Sequence, residues 1–317
     1  MAEWTIRGMC GEDLADIMEV ARLSLPADPM CPELFARRVF LDQNFSPATA
    51  LVAEHGGRVA GFVTGFVRRY PIEDMPDDSN RSWITLFAVH PDARRDGAAT
   101  ALFDHLEETL QEMGKSSVLV GPYVPNWWVP GVDEKEYPEA IEFLSKRGYS
   151  VVTRPLSMDS DLVAYRRPQW VSEKEKSLTG AGVLFHDFRP EVIPALFGFL
   201  KREFPGDWQR HLRATCQRIL QGEYSRRQVQ VATEDGEVVG FAHYEGERFG
   251  PFGTAPAVRG RGIGAVLLCR TIEAMRENGL HNAYFLWTSD ESARLYSSAA
   301  GFRESRRFAL MKKEFGG

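Results

Sequence analysis

Cysteine is scarce in this chain: four in 317 residues, Cys10, Cys31, Cys216 and Cys269, none near another. With no CxxC pair and no neighbouring histidine pair, a zinc-finger spacing is excluded, no metal is expected, and a disulfide framework is not expected either. Basic charge is not in excess. The 38 lysines and arginines face 44 acidic residues, for a formal charge of −6, so no nucleic-acid partner is expected. No apolar run reaches the roughly 18 residues of a membrane span, so no membrane partner is expected. The start, MAEWTIRGMCGED, lacks the basic-then-apolar pattern of a secretory signal, and a cytoplasmic protein is expected. No Gly-Lys-Ser/Thr follows a glycine-rich turn, which excludes a nucleotide-hydrolysing P-loop. What remains is an ordinary globular composition, 44% apolar and 26% charged, in a chain about twice the length of one domain.

The two halves repeat one plan. Arg58–Phe66 alternates as a strand and has a counterpart in Glu237–Tyr244. Each follows a shorter strand, 50–53 or 229–233, across Gly56-Gly57 or Asp235-Gly236, which are hairpin signals. A third strand then ends in proline, at Pro91 and at Pro256. From there the halves align without gaps at an offset of 165, Pro91-Asp-Ala-Arg-Arg-Asp-Gly-Ala-Ala99 against Pro256-Ala-Val-Arg-Gly-Arg-Gly-Ile-Gly264. An amphipathic helix follows in each, carried by Leu102, Phe103, Leu106 and Leu110 in one and by Leu268, Cys269, Ile272 and Met275 in the other. Gly148-Tyr149 and Gly301-Phe302 match at an offset of 153, as do the last strands, Arg154–Met158 and Arg307–Met311. The offset changes place insertions of the first half near residues 69–79 and 124–133. The polar stretch 166–180 has no apolar period and reads as a linker. The expected fold class is α+β: two tandem domains, 1–165 and 181–317, each a mixed, mostly antiparallel twisted sheet flanked by helices.

Between strand and helix lies Arg259-Gly260-Arg261-Gly262-Ile263-Gly264. Glycines let such a turn bring several amide N–H groups against one ligand, the helix N-terminus adds partial positive charge, and two arginines add charge-assisted contacts; the combination suits a pyrophosphate. Gly260–Ala265 also satisfies the dinucleotide fingerprint G-x-G-x-x-A, with Asp290 as the ribose-binding acid. Against a dinucleotide-binding enzyme, Asp96 and Ala98 stand at the fingerprint positions of the first half, and the strands before each loop form antiparallel hairpins.

Val89-His-Pro-Asp-Ala-Arg-Arg-Asp-Gly-Ala-Ala99 and Thr254-Ala-Pro-Ala-Val-Arg-Gly-Arg-Gly-Ile-Gly264 resemble the V-x-P-x-x-R/Q-x-x-G-x-G/A motif of the GCN5-related N-acetyltransferase family. The likeness spans about 155 residues of each half. It implies acetyl-CoA as cosubstrate and direct attack by the primary amine of a small molecule, without an acyl-enzyme. It implies that the amide of Phe252 holds the thioester carbonyl, that Thr254 pairs with pantetheine, and that Arg259, Gly260, Arg261, Gly262, Ile263 and Gly264 wrap the pyrophosphate. Asp290 stands where the family often has an asparagine touching the cofactor, and equally where an N-cap is favoured.

The family's general acid is a tyrosine four residues before the Gly-aromatic pair. That position is Ser297 in the second half and Leu144 in the first, with Tyr296 one residue early; Tyr296 is expected to serve as the acid if an inserted residue restores its direction, and to be a packed tyrosine otherwise. No proton acceptor stands at the family's strand positions, Gly250 and Arg248 or Thr85 and Trp83. His243, opposite Gly250 in the expected hairpin, is the candidate base, with a hydrogen-bonded structural histidine as the alternative. Trp127 and Trp128, on an aromatic loop, are the candidate acceptor contacts or else interface packing. With three glycines, two arginines and a candidate acid, the second half is expected to be catalytic and the first a degenerate copy. A non-catalytic acyl-CoA-binding sensor is the reading from another class. The oligomeric state is not written in the sequence.

Overall fold

The computed structural model describes residues 3–72, 75 and 77–316. Three positions of the first insertion, 73, 74 and 76, lie outside the described residues. Two units form, one of Met1–Pro71, Asp77–Arg154 and Phe308–Gly317, the other of Ile72–Pro76 and Pro155–Arg307.

In the first unit the strands are β1 (Thr5–Gly8), β2 (Ala50–His55), β3 (Arg58–Val67), β4 (Arg81–Val89), β5 (Ser117–Val120), β6 (Val132–Asp133) and β7 (Ser150–Thr153). The helices are α1 (Leu14–Ser24), α2 (Pro32–Phe35), α3 (Ala98–Glu112) and α4 (Pro138–Lys146). The order β1-β2-β3-β4-β5 is antiparallel except for β4 and β5. Alternation gives the sheet two apolar faces. Val63, Ile84 and Val118 pack with Leu102, Phe103 and Leu106 of α3, and Phe62, Trp83 and Leu86 pack with Ile17 and Val20 of α1 and Phe35 of α2.

The second unit contains β8 (Leu156–Asp161), α5 (Gln169–Gly180), β9 (Val183–Asp187), α6 (Ile193–Glu203), α7 (Trp208–Leu220), β10 (Val229–Glu234), β11 (Glu237–Glu245), β12 (Arg248–Thr254), α8 (Ile263–Glu277), β13 (Asn282–Thr288), α9 (Asp290–Ala300) and β14 (Arg303–Glu314), the last crossing into the first unit at residue 308. The stretch expected as a linker is therefore helical over most of its length. Only Val171 and Leu178 of α5 are buried, and two apolar positions are too few to mark a helical stripe in sequence.

The halves exchange their closing strands. Residues 308–314 of β14 pair with β5 (Met311 opposite Val120) and with β7 (Leu310 opposite Thr153). In the second unit β8 lies between β13 (Phe285 opposite Met158) and residues 303–307 of β14 (Arg307 opposite Leu156). A buried carboxylate marks the junction in the first unit: Glu107 of α3 accepts from Tyr149 Oη at 3.0 Å, from Arg147 at 3.0 Å and from Lys313 Nζ at 2.6 Å.

Candidate active site

Both proline-terminated strands run into the same turn. Pro91–Ala93 and Pro256–Val258 each make one 3-10 turn. Left-handed residues follow at equal spacing, Arg95 (φ 61°) and Gly97 (φ 93°) in the first unit, Gly260 (φ 77°) and Gly262 (φ 97°) in the second. Gly97 and Gly262 then cap α3 and α8. Alternating hands turn successive amide N–H groups toward one point, and the first helical turn adds N–H groups with no partner of their own. Loop geometry alone makes the two turns equivalent.

The strands before them are also equivalent. His90 N–H donates to Ala60 O and Ala255 N–H donates to Val239 O, which sets the parity of each antiparallel ladder. Phe87 and Val89, and likewise Phe252 and Thr254, are then the residues whose own N–H and C=O point away from the hairpin partner. On that far side β4 is paired with β5 only as far as Ile84 opposite Val120, and β12 with β13 only at Arg248 opposite Tyr284. Each unit thus has a strand with main-chain groups directed into a wedge.

The wedges differ in what fills them. In the first unit a cavity of about 940 Å³ lies between β4 (Thr85–Val89), the turn from Ala93 to Thr100, α4, and the end of α1. A Cβ added to Gly97 would meet nothing within 4 Å. In the second unit the positions 165 further on carry aromatics: Phe249 and Phe285 replace Ile84 and Val120. Tyr296 packs against Phe285 (ring centroids 4.4 Å apart), Phe252 (5.9 Å), Phe302 (5.9 Å) and Phe249 (6.0 Å). The Cζ of Phe252 would lie 3.2 Å from a Cβ on Gly264, and the stem of Lys174 crosses Gly262, its Cγ 2.6 Å from a Cβ placed there.

The expected site residues fall as follows. Arg261 is held by Glu234 through two hydrogen bonds of 2.6 and 2.8 Å, which raises its pKa, while Arg259 and Gly260 are exposed. Ile263 is in the core. Asp290 is not the N-cap; Ser289 is, accepting from Ser292 N–H. Asp290 instead makes a bidentate pair with Arg307 (2.8 and 3.1 Å), which holds its carboxyl below the usual range. α9 runs unbroken from Asp290 to Ala300 and ends at Gly301 with φ 69°, so no insertion turns Tyr296. Burial pushes its phenol upward, and the ring serves as packing.

His243 is on the face covered by α7, not in the wedge. Its Nε2 bonds Thr215 Oγ1 at 2.8 Å and its Nδ1 bonds Gly250 O at 3.1 Å. Complete burial lowers its pKa to about 3. With both nitrogens engaged, the imidazole has no atom to take an amine's proton. Trp128 is buried, its ring 6.4 Å from Phe35 and beneath Arg38, so it belongs to the core under α2; Trp127 is half-buried beside it in sequence.

Sequence reasoning missed Tyr137 and Asp28 in the first-unit cavity, and Lys174. The paired difference Ile84/Val120 against Phe249/Phe285 was the available signal for which wedge is open. Among the described residues no cluster of His, Cys, Asp and Glu is arranged to hold a metal, and no helix is long and apolar enough to cross a membrane.

A repeated αβ unit with a splayed parallel strand pair and an amide-lined turn at the head of the next helix is the architecture of an acetyltransferase. The model of the acetyltransferase (GNAT) family matches residues 14–126 and 193–302, and the chain belongs to that family. Solved structures agree on the fold. The chain is 19% identical to the GCN5-related glucosamine N-acetyltransferase region of a fungal multi-domain GH3 β-N-acetylglucosaminidase (TM-score 0.79), covering 99% of this chain and 38% of that one. It is 19% identical to a GCN5-related N-acetyltransferase from Sphaerobacter thermophilus (TM-score 0.71; 99% and 97% covered). It is 18% identical to a tandem GNAT protein of the clavulanic acid biosynthesis pathway (TM-score 0.62; 99% of both chains). No curated protein matches it in sequence.

Proposed function

We propose that the chain transfers an acetyl group from acetyl-CoA to the primary amine of a small molecule, and that the first unit is the one that works. The observation that carries this is the 940 Å³ cavity, within the size of pockets that enclose small ligands, against a second wedge filled by Phe249, Phe285 and Tyr296. This reading reverses the division expected from sequence, with a catalytic second half and a degenerate first. Arg94 through Thr100 would hold the pyrophosphate: the amides of Ala98 and Ala99 lead α3, and Arg94 and Arg95 supply cations. The Phe87 N–H, directed into the wedge, would hold the thioester carbonyl. A donor aimed at the developing oxyanion contributes about 3–4 kcal/mol to the transition state.

Acetyl-CoA supplies the activated acyl group, and the protein supplies position. β4 aligns pantetheine, the turn fixes the phosphates, and the cavity admits the amine. Titrating acetyl-CoA by calorimetry into Gly97→Asp and Gly262→Asp tests the assignment. A carboxylate in the amide nest repels phosphate, so Gly97→Asp should weaken binding about 100-fold or more, with Gly262→Asp near wild type. The opposite pattern would move the site to the second unit.

A further inference from the structure

The wedge of the first unit has its apex where β4 and β5 part. Ile84 opposite Val120 is the last pair that joins them, and Thr85 is the first residue of β4 beyond it. Thr85 also stands outside the ladder on the hairpin side. Ile84 faces Gly65 and Leu86 faces Thr64, so β4 carries one extra residue there, a β-bulge of the kind that re-aims a side chain. Thr85 lines the cavity, as do Leu86 and Phe87 after it, yet it is more than nine-tenths buried. Phe87, whose N–H is directed into the wedge, is two residues further along the same strand, about 6–7 Å away.

The Thr85 hydroxyl has a set direction. Its Oγ1 lies 2.8 Å from Thr64 Oγ1 and has no other hydrogen-bond partner among the described residues. Thr64 Oγ1 accepts from Leu86 N–H at 3.0 Å and donates to Leu86 O at 3.2 Å. Each hydroxyl has one proton to give and two lone pairs to offer. If Thr64 gave its proton to Thr85 instead, the Thr85 proton would be buried without an acceptor, at the cost of an unmade hydrogen bond. With Thr64 bonded to Leu86 O, Thr85 donates to Thr64 and every proton of the pair is used. Thr85 then meets the cavity with lone pairs only.

We propose that Thr85 Oγ1 accepts one N–H of the acceptor amine and so aims the nitrogen lone pair at the thioester carbon. The inference rests on the reading of the first unit as the transferase. The nitrogen–carbon bond forms as the carbon–sulfur bond breaks. The nitrogen loses one proton and the CoA sulfur ends with one, so the products are an amide and a thiol. A primary amine has a second N–H, which stays on Thr85 Oγ1 from approach to amide. A secondary amine loses its only N–H, so the same bond cannot last. Thr85 touches the amine and is a catalytic residue that takes no proton. Thr64 acts through it and is a positioning residue.

The test uses the full chain with acetyl-CoA and two matched pairs of amines, tyramine with N-methyltyramine and glycinamide with sarcosinamide. CoA release gives kcat and KM, and calorimetry gives the Kd for acetyl-CoA. In wild type, kcat/KM for each primary amine should exceed that of its N-methyl partner about tenfold or more. Thr85→Val should lower kcat/KM for the primary amines about tenfold and leave the N-methyl amines within about threefold, erasing the preference. Valine keeps the bulk of threonine, so a preference set by crowding alone would survive it. Thr85→Ser should restore rate and preference together, and acetyl-CoA Kd should stay within about twofold of wild type throughout. Thr64→Val, which takes away the acceptor of the Thr85 proton, should lose the preference likewise, and Thr64→Ser should keep it. Wild-type rate and preference in Thr85→Val would overturn the role of Thr85 while leaving the transferase reading intact. If the wild-type chain releases no CoA with any of the four amines, the transferase reading falls and this inference with it. A urea midpoint for each variant separates lost folding from lost positioning.

Discussion

The stem of Lys174 lies over Gly262, with Cγ, Cδ and Cε at 2.6, 2.9 and 3.3 Å from the place a Cβ would take. The lysine comes from α5, and the glycine caps α8. A flexible stem is easily displaced, whereas Phe249 and Phe285 of the aromatic cluster are buried in the core.

Lys174→Ala should therefore not create a second cofactor site. Calorimetric titration with acetyl-CoA is expected to give one molecule per chain for wild type and variant alike. Two per chain in the variant would mean that the lysine alone closes the second wedge.

His243 links stability to pH. Its pKa falls from 6.5 to about 3 on burial, so the folded protein binds fewer protons than the unfolded chain between those values. The stability it contributes is present above pH 6.5 and is lost as pH falls toward 3. At pH 5 the loss relative to pH 7 amounts to about 2 kcal/mol. Urea unfolding of His243→Gln at the two pH values should show that much less acid sensitivity than wild type. Equal sensitivity in both would show that other groups dominate the acid limb.

Residues 308–314 complete the sheet of the first unit, so a change at the far end of the sequence should be felt there. Met311, fully buried against β5 and β7, should cost about 2–5 kcal/mol when changed to alanine. Removing Phe308–Gly317 should abolish acetyl-CoA binding and raise hydrogen exchange at Ser117–Val120. Unchanged exchange at those amides would show that β5 does not depend on β14.

Much of this was legible in the sequence because it rests on local spacing. The hairpins, both glycine turns and their following helices are encoded by alternation, by proline at the strand end and by helical periodicity, and the fold class follows. The family was readable from the turn and its proline. Which unit is open was not, because it depends on side-chain volume at Ile84/Val120 and Phe249/Phe285, pairs about 36 residues apart in sequence that meet only across parallel strands. Counting glycines in the turn favoured the second half, yet Arg95 adopts the left-handed conformation that Gly260 holds in the other copy. Tyr296 stands at the inward position of α9, as Phe143 does in α4, and a residue one place early on an unbroken helix faces the core. The expected hairpin sets His243 directly opposite Gly250, whereas the observed ladder shifts register between Ala242 and Tyr244, and the pairing did not say which face α7 would cover.

The strand exchange was hidden for a different reason. Arg154-Pro-Leu-Ser-Met158 and Arg307-Phe-Ala-Leu-Met311 share their first and last residues at matching places in the two halves, and pattern alone assigns each to its own half.

The crossing of β14 has a consequence for how the polypeptide is made. β5 is complete once Val120 has left the ribosome, but its partner ends at Glu314. At 5–20 residues per second the nascent first unit waits roughly 10–40 s with an unpaired edge. Synthesis of the final strand is the event that lets both halves become native together.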